Sequence, residues 1–474
     1  MKFFASCLRA SCALLFPALV YGQEPAANPT NLQFGTVKTY NAIMSFTGVT
    51  CDGYLVLKST QPINAVPVDG VAYEKGQGLG NAKVMVTGNA TLYNVRSLLE
   101  RTKYYFAIYA YNGGGTSINY RQTNPLIDSL MTPASDAGSY YNTVDSSSYS
   151  FINDLHGLIN PHTMSSYTPG YATTILPAMY ERDTVGGQAV VNCEYSDITT
   201  IYTPPFSFTG TNYNREHVLC KSWMQTYAQF GANVVQYPEG ADYFNLFLTA
   251  AAPNNARSNR PYGVVVNQTG SYGPSKLGKD ANNINVFEPG DNRKGDAARA
   301  MMYEMICYNG TSGEWGLDYL LAEAGDQSQA VLKQWNQQDP PDKFERTKND
   351  YIFSIQNNRN PFIDHPGWVN CINFDSLFKT SLCGAVSGIN EPELNAHINA
   401  FPNPANGVLN IAITNATESA ANLTLIDMLG NEVLTNQWNG QNVAMDVTAL
   451  PQGNYILRIS MGSNAAYRKV LILN

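Results

Sequence analysis

The sequence predicts a multidomain protein in which a mixed α+β core is flanked by two all-β sandwich domains. Three observations carry this reading. Between Leu99 and Asn112 apolar and polar residues alternate with period two, the mark of a strand with one buried face. Around residues 296–306 and 343–356 the apolar spacing becomes that of helices. Beyond residue 395 the alternation returns, at Leu409, Ile411 and Ile413. At 474 residues the chain exceeds one ordinary core, so division into several domains is expected.

Residues 1–22 read as a secretory signal. Met1-Lys2-Phe3-Phe4 gives an early positive charge, a short apolar run follows to Val20-Tyr21-Gly22, and a small residue precedes Gln23. Arg9 interrupts the run, which argues against a membrane anchor. No later segment has the ~18 consecutive apolar residues of a transmembrane helix. An exported protein is therefore expected. Cys7 and Cys12 leave with the signal. Cys51, Cys193, Cys220, Cys307, Cys371 and Cys383 remain, an even number that favours disulfides in an oxidising compartment. Cys371 and Cys383 are close enough in sequence for a local pair, and the connectivity stays open.

Residues 28–133 form the first β-domain. In its clearest strand Tyr104, Phe106, Ile108 and Ala110 should face the core and the other register water. The Leu99-x-x-Thr102-x-Tyr104 opening resembles the late strands of a fibronectin type III sandwich. Gly76-x-Gly78-x-Gly80 does not sit between a strand and a helix of a βαβ unit, so it reads as a turn and not a phosphate loop. Residues 134–149, rich in Ser, Asp, Tyr and Gly without periodicity, read as a linker. The mixed region covers 150–375. One helix starts near Asp296, with Ala297, Met301, Met302, Met305 and Ile306 on one face. A second runs from Lys343 to Gln356, with Phe344, Tyr351, Ile352 and Ile355 inward.

Residues 395–474 form the last β-domain, through Phe401-Pro402-Asn403-Pro404-Ala405, Leu450-Pro451-Gln452-Gly453-Asn454-Tyr455 and a closing Lys469-Val470-Leu471-Ile472. This closely resembles the C-terminal sorting domain of type IX secretion cargo. The resemblance implies the type IX machinery as a partner, and a secreted or cell-surface location in a Gram-negative bacterium.

The net charge is −8, and residues 140–370 hold 15 basic and 23 acidic side chains. Bulk electrostatics therefore cannot hold a polyanion, and a phosphate-handling site would need clustered cations or a divalent ion.

Two stretches carry chemistry. Asn214-Arg215-Glu216-His217-Val218-Leu219-Cys220 places an imidazole beside a carboxylate on a predicted strand. Neighbours on a regular strand point to opposite faces, so both can meet one substrate only at a bend or strand end. Gln356-Asn357-Asn358-Arg359-Asn360-Pro361-Phe362-Ile363-Asp364-His365 is an amide-rich turn following a helix. Between them lie Asn245-Leu246, Pro253-Asn254-Asn255-Ala256-Arg257-Ser258-Asn259-Arg260-Pro261-Tyr262-Gly263, Arg293-Lys294-Gly295-Asp296, Trp335, Asp339-Pro340 and Glu345-Arg346.

In order, and over about half the chain, these blocks resemble the bacterial endonuclease I family, nucleases of the ββα-metal (His-Me finger) type. The resemblance implies a ββα-metal nuclease core and metal-dependent, non-specific hydrolysis of DNA or RNA phosphodiesters to 5′-phosphate products. It makes His217 the general base, and Glu216 and Asn254 the ligands of Mg²⁺ or another divalent cation such as Mn²⁺ or Ca²⁺. Asn255 competes with Asn254, which could instead cap a helix. Arg257, Arg260 and Arg299 are candidates for phosphate contact, since a guanidinium grips phosphate bidentately; Arg299 could equally pair with Asp296 one turn away. Arg359, Asn360 and Asp364 read as a bracing turn. No base-reading motif is present, so nucleic acid should be held through its backbone.

The chain departs from the family pattern in three places: Cys220 replaces a usual proline, Phe244 a usual histidine, and Lys294 a usual arginine. The Phe244 change, with the acidic charge, supports a rival reading as a surface adhesive protein with an inactive nuclease-like domain. The first β-domain would serve as a spacer or docking element. His156, His162 and His397 have no partner pattern and read as surface or packing residues.

Overall fold

The structure is a computed structural model. It describes residues 22–160, 162–167, 170–180, 183–185, 188–202, 213–308, 327–374, 378–379, 398–413, 420–427, 431–461 and 464–473. Residues 1–21 of the secretory signal, Cys383, His397 and the first residues of the last β-domain lie outside the described residues. The chain divides into two compact units, residues 1–380 and 381–474.

The first unit opens with two antiparallel sheets. Thr30–Gly35, Ala42–Thr47 and Leu92–Val95 form the smaller one. The larger contains Ala82–Gly88, Gly53–Ser59 and Lys103–Asn112 in that order, with Leu126–Met131 also on Lys103–Asn112. Between them Met44, Phe46 and Val56 pack with Tyr104, Phe106, Ile108 and Ala110, the register that the alternation selects. The opposite register does not face water. Ala107 and Tyr109 join Leu55, Leu57, Tyr73 and Tyr120 in a second core. The chain around Ala65 and Tyr73 folds back over this face, and the Tyr109 hydroxyl donates to the Ala65 carbonyl (2.7 Å).

Residues 134–149 are not a free linker. Tyr141 is buried, its ring lies 4.9 Å from that of His365 and 5.3 Å from that of Trp368, and its hydroxyl donates to Asp364 (2.7 Å). The β-domain is docked on the helix Lys343–Gln356. Thr39 Oγ1 donates to Asp350 (2.8 Å), Lys343 Nζ donates to the Arg101 carbonyl (2.9 Å), and Glu100 pairs with Arg346. This is a fixed mount, not a spacer. Glu100→Ala should cost about 2 kcal/mol, since a buried carboxylate that accepts from the Arg346 guanidinium and the Ser135 N–H (2.6 Å) is lost. Urea unfolding checks this; a change within about 0.5 kcal/mol, usual for an unimportant surface site, would mean loose tethering.

That docking explains a second departure. The helix Lys343–Gln356 begins on Asp342, which accepts from the Glu345 N–H (2.8 Å). Its buried side chains include Glu345, Thr347, Lys348, Asn349 and Gln356, while Phe344, Tyr351 and Ile355 are half-buried. The buried face is polar because it receives hydrogen-bonding partners from three directions. The helix Lys294–Cys307 is buried on all sides, with Arg299 and Glu304 enclosed beside the expected methionines.

Cys51, Cys193, Cys220 and Cys307 are free thiols, which corrects the expectation of disulfides at these four positions. Each of the buried three has another partner: Cys193 Sγ accepts from the Ala250 N–H (2.9 Å), Cys220 meets Arg257, and Cys307 donates to the Tyr303 hydroxyl (3.3 Å). Cys371 is disulfide-bonded, to a residue outside the described ones.

The second unit is a seven-stranded sheet whose central strands are Gly453–Met461, Asn464–Ile472 and Ile398–Asn406. Leu409, Ile411 and Ile413 point into its core with Leu423, Leu457, Ile459 and Val470, as their alternation requires. Among the described residues no helix is long and apolar enough to cross a membrane.

Candidate active site

Strand Tyr213–His217 pairs antiparallel with Leu246–Ala250, and the helix Ala251–Arg257 follows the second strand without a break. His217 is the last residue of its strand, opposite Leu246, so the chain bends immediately after it. Asn245 holds that bend: its Oδ1 accepts from the Leu219 N–H (2.7 Å) and its Nδ2 donates to the Leu219 carbonyl (3.2 Å). The strand end lets sequence neighbours Glu216 and His217 line one cleft of about 480 Å³ together with Asn254, Asn255, Arg215 and Lys221.

His217 is 4% exposed, and its Nε2 lies 2.9 Å from the Gly240 carbonyl oxygen. A carbonyl only accepts, so Nε2 carries the proton and Nδ1 keeps a lone pair. Burial lowers the imidazole pKa to about 3, so the ring is neutral at neutral pH. The Tyr167 ring stacks on it at 5.5 Å, and the Arg215 guanidinium lies 3.6 Å from the centre of the same tyrosine. Arg215 and His217 share a strand face by their spacing of two.

Glu216 is buried. Its Oε1 sits 3.2 Å from Arg257 and accepts from the Tyr195 hydroxyl (3.3 Å), while Oε2 has no hydrogen-bond donor among the described residues. Burial raises its pKa to about 7, partly offset by Arg257. Such a carboxylate gains by meeting a further cation. The helix Ala251–Arg257 is capped at Ala250, so Asn254 lies inside it and is not its cap. The Asn254 side chain is half-buried and makes no hydrogen bond among the described residues. A carboxylate oxygen and an amide oxygen offered to one polar cleft suit a hard divalent cation.

The three arginines differ. Arg257 lines the cleft but is 1% exposed, and its Nη1 donates to the His217 carbonyl (3.0 Å) and its Nη2 to that of Val218. It braces the site, which corrects the expected phosphate contact. Arg260 donates to the Ala256 carbonyl (2.7 Å) and is not in the cleft lining. Arg299 is fully enclosed, paired with Glu345 and Asp296, and the phosphate role is corrected there too. Arg359 Nε donates to Asp364 (2.7 Å) and Nη2 to Asp350 (2.8 Å), and Asn360 caps the short helix Pro361–Asp364.

Phe244 packs 4.9 Å from the Tyr303 ring and is absent from the cleft lining, so the missing histidine does not alter the cleft itself. Lys294 pairs with Glu288 and Asp291, both at 2.7 Å. Away from the cleft, His162, Asp242 and Cys307 lie within 4.8 Å of one another. The Tyr303 and Tyr308 hydroxyls donate to Asp242 Oδ2 (2.7 and 2.8 Å), and Tyr308 also meets His162 Nε2 (2.7 Å). These bonds tie the cluster together around the buried His162 side chain, whose Nδ1 has no hydrogen-bond partner among the described residues. Tyr167, Arg215, Lys221 and Asn245 had no assigned role in the sequence. Position two before His217 identifies Arg215; Tyr167 lies in an irregular segment with no pattern to find it.

The Endonuclease I family model matches residues 147–367, and that of the secretion system C-terminal sorting domain matches residues 399–473. An extracellular ribonuclease of Bacillus subtilis (strain 168) is 30% identical over 262 residues, covering 51% of this chain and 82% of its own length. One from Bacillus amyloliquefaciens is 29% identical over 283 residues, covering 57% and 88%. The fibronectin type III domain of human fibronectin type III domain containing protein 3 aligns at 18% identity over 25% of this chain and 93% of its own, with a TM-score of 0.17. The chain belongs to the endonuclease I family and ends in a secretion sorting domain.

Proposed function

We propose that the cleft is the active site of a secreted, metal-dependent endonuclease that hydrolyses DNA and RNA phosphodiesters without reading bases and leaves 5′-phosphates. One observation carries this: His217, Glu216 and Asn254 line the same cleft, with the imidazole proton held at Nε2 by the Gly240 carbonyl. His217 Nδ1 then accepts a proton from the water that attacks phosphorus, while the bond from phosphorus to the 3′-oxygen breaks. Glu216 and Asn254 would hold a divalent cation such as Mg²⁺, which would supply charge relief at the phosphate and at the departing 3′-oxygen. Tyr167 and the Gly240 carbonyl fix the imidazole plane. Arg215 and Lys221 give the cleft the local positive charge that the whole chain lacks, and they bind the phosphate backbone.

The relatives are named extracellular ribonucleases, which supports RNA as one substrate. The sorting domain supports export by the type IX machinery, to the cell surface or the medium.

The test is cleavage of defined single-stranded, duplex and RNA oligonucleotides with Mg²⁺, with chelator, and with phosphatase sensitivity of the product ends. Chelation should abolish cleavage. Asn254→Ala should raise the Mg²⁺ needed for half-maximal rate by about a hundredfold, the upper end seen for outer-shell partners. Asn255→Ala should leave it unchanged. Equal effects at the two asparagines would remove the ligand assignment, and cleavage in excess chelator would remove the metal.

A further inference from the structure

Away from the cleft, side chains of the metal-ligating kinds meet in the interior from three separate segments. His162 follows the helix Phe151–Ile159, Asp242 precedes the strand Leu246–Ala250, and Cys307 ends the helix Lys294–Cys307. One ligand atom of each lies within 4.8 Å of the other two, and His162 Nε2 is 3.6 Å from Asp242 Oδ2. Asp242 is oriented for this approach: its Oδ1 accepts from the Phe244 N–H (2.9 Å) and from Gln356 Nε2 (3.0 Å), which leaves Oδ2 for the imidazole side. Glu304 adds an independent observation. It is fully enclosed, and neither of its carboxylate oxygens has a hydrogen-bond partner. It stands three residues before Cys307, so both side chains leave the same side of the helix. Among the described residues no Lys or Arg pairs with Glu304 or with Asp242. A carboxyl group so placed must keep a proton or meet a cation.

We infer that His162, Asp242, Glu304 and Cys307 form a structural site for one Zn²⁺ ion, separate from the cleft. A thiolate and an imidazole select zinc over the hard Mg²⁺, and four protein ligands make a closed site. As the zinc–sulfur bond forms, the Cys307 thiol gives up its proton to solvent. The Tyr308 hydroxyl, which bridges His162 Nε2 and Asp242 Oδ2 at 2.7 and 2.8 Å, yields that bridge to the cation. Burial and the nearby Asp242 and Glu239 carboxylates push the Glu304 pKa well above the ordinary carboxylate range, and a cation relieves the same crowding of negative charge. The ion also ties down the segment that orients the base, since Asp242 lies two residues beyond Gly240, whose carbonyl holds His217 Nε2. Only that last link rests on the nuclease reading; zinc binding is independent of it.

The experiment strips the full chain with a chelator, dialyses it and titrates it with Zn²⁺ against a chromophoric zinc indicator in excess Mg²⁺. Wild type should take up one Zn²⁺ per chain and melt at a higher temperature with it. Cys307→Ser and Glu304→Gln should each weaken the affinity by more than about a hundredfold, beyond the range of outer-shell partners. Glu304→Gln keeps the shape of a neutral acid, so its fold should survive, as a thermal melt checks. Glu216→Gln with Asn254→Ala alters the cleft and should leave zinc affinity unchanged. Co²⁺ in place of Zn²⁺ should show a thiolate-to-metal charge-transfer band that vanishes in Cys307→Ser and persists in Cys220→Ser. No uptake by wild type, loss of zinc in the cleft double variant, or a cobalt band that survives Cys307→Ser would overturn the site. Wild-type affinity in Glu304→Gln would make Glu304 a neutral buried acid and overturn the four-ligand set. Zinc bound with this variant pattern by a protein that cleaves nothing would leave the site standing and remove the nuclease reading instead.

Discussion

His217→Ala should lower kcat on long nucleic acid by about 10²–10⁴-fold with little change in KM, the usual range for a general base. The ring is held for one task. Its Nε2 is committed to the Gly240 carbonyl (2.9 Å), and burial keeps it neutral, with a pKa near 3. The lone pair that remains, on Nδ1, is on a side chain that lines the cleft with Glu216 and Asn254. Truncation removes the base and leaves Arg215 and Lys221 to bind phosphate, so binding survives while the chemical step does not. Arg215→Ala should do the reverse, raising KM more than it lowers kcat. Exogenous imidazole should restore part of the His217→Ala rate, because the space under Tyr167 fits the lost ring. A His217→Ala protein that is folded by its thermal melt and cleaves at the wild-type rate would end the assignment.

What the sequence could reveal was local. Glu216 and His217 lie together on one strand and Asn254 on the helix that directly follows the partner strand, so each stood in a short readable block, and the strand's end at His217 shows how neighbours come to line one cleft. The β-strands were readable from alternation, except where a return segment covered the second face at Tyr109. Arginine roles were not readable. Exposure is the ordinary state of arginine, yet Arg257 and Arg299 are enclosed because distant segments bring carbonyls and carboxylates to them. Cysteine pairing followed a compartment rule, and Cys193, Cys220 and Cys307 instead serve strand, arginine and tyrosine partners. The buried face of Lys343–Gln356 is polar for the same tertiary reason: its partners, Arg299 and Thr39 among them, come from elsewhere in the chain.

Arg299→Ala should destabilise the first unit by about 3–5 kcal/mol, the cost of removing one partner from a buried ion pair. Its Nε donates to Glu345 Oε1 (2.7 Å) and its Nη2 to Glu345 Oε2 and to Asp296 (3.0 Å). Its Nη1 donates to Asn336 (3.2 Å) and to the Asp339 carbonyl (2.7 Å). All five N–H groups are thus engaged, and a phosphate has none to take. The chain is closely fitted here: a Cβ added at Gly295 would lie 1.8 Å from the Asp339 carbonyl oxygen and 2.7 Å from Arg299 Nη1. Burial already raises the Glu345 pKa to about 8 with Arg299 present, so loss of the guanidinium leaves an acid that must protonate or draw in water. Arg299→Lys should recover only part of the loss, since an ammonium cannot reproduce the planar fork. Urea unfolding with a nuclease assay on the folded fraction separates the two roles. A fall in stability with kcat and KM retained per folded molecule fits the brace, whereas unchanged stability with a raised KM would return Arg299 to the substrate.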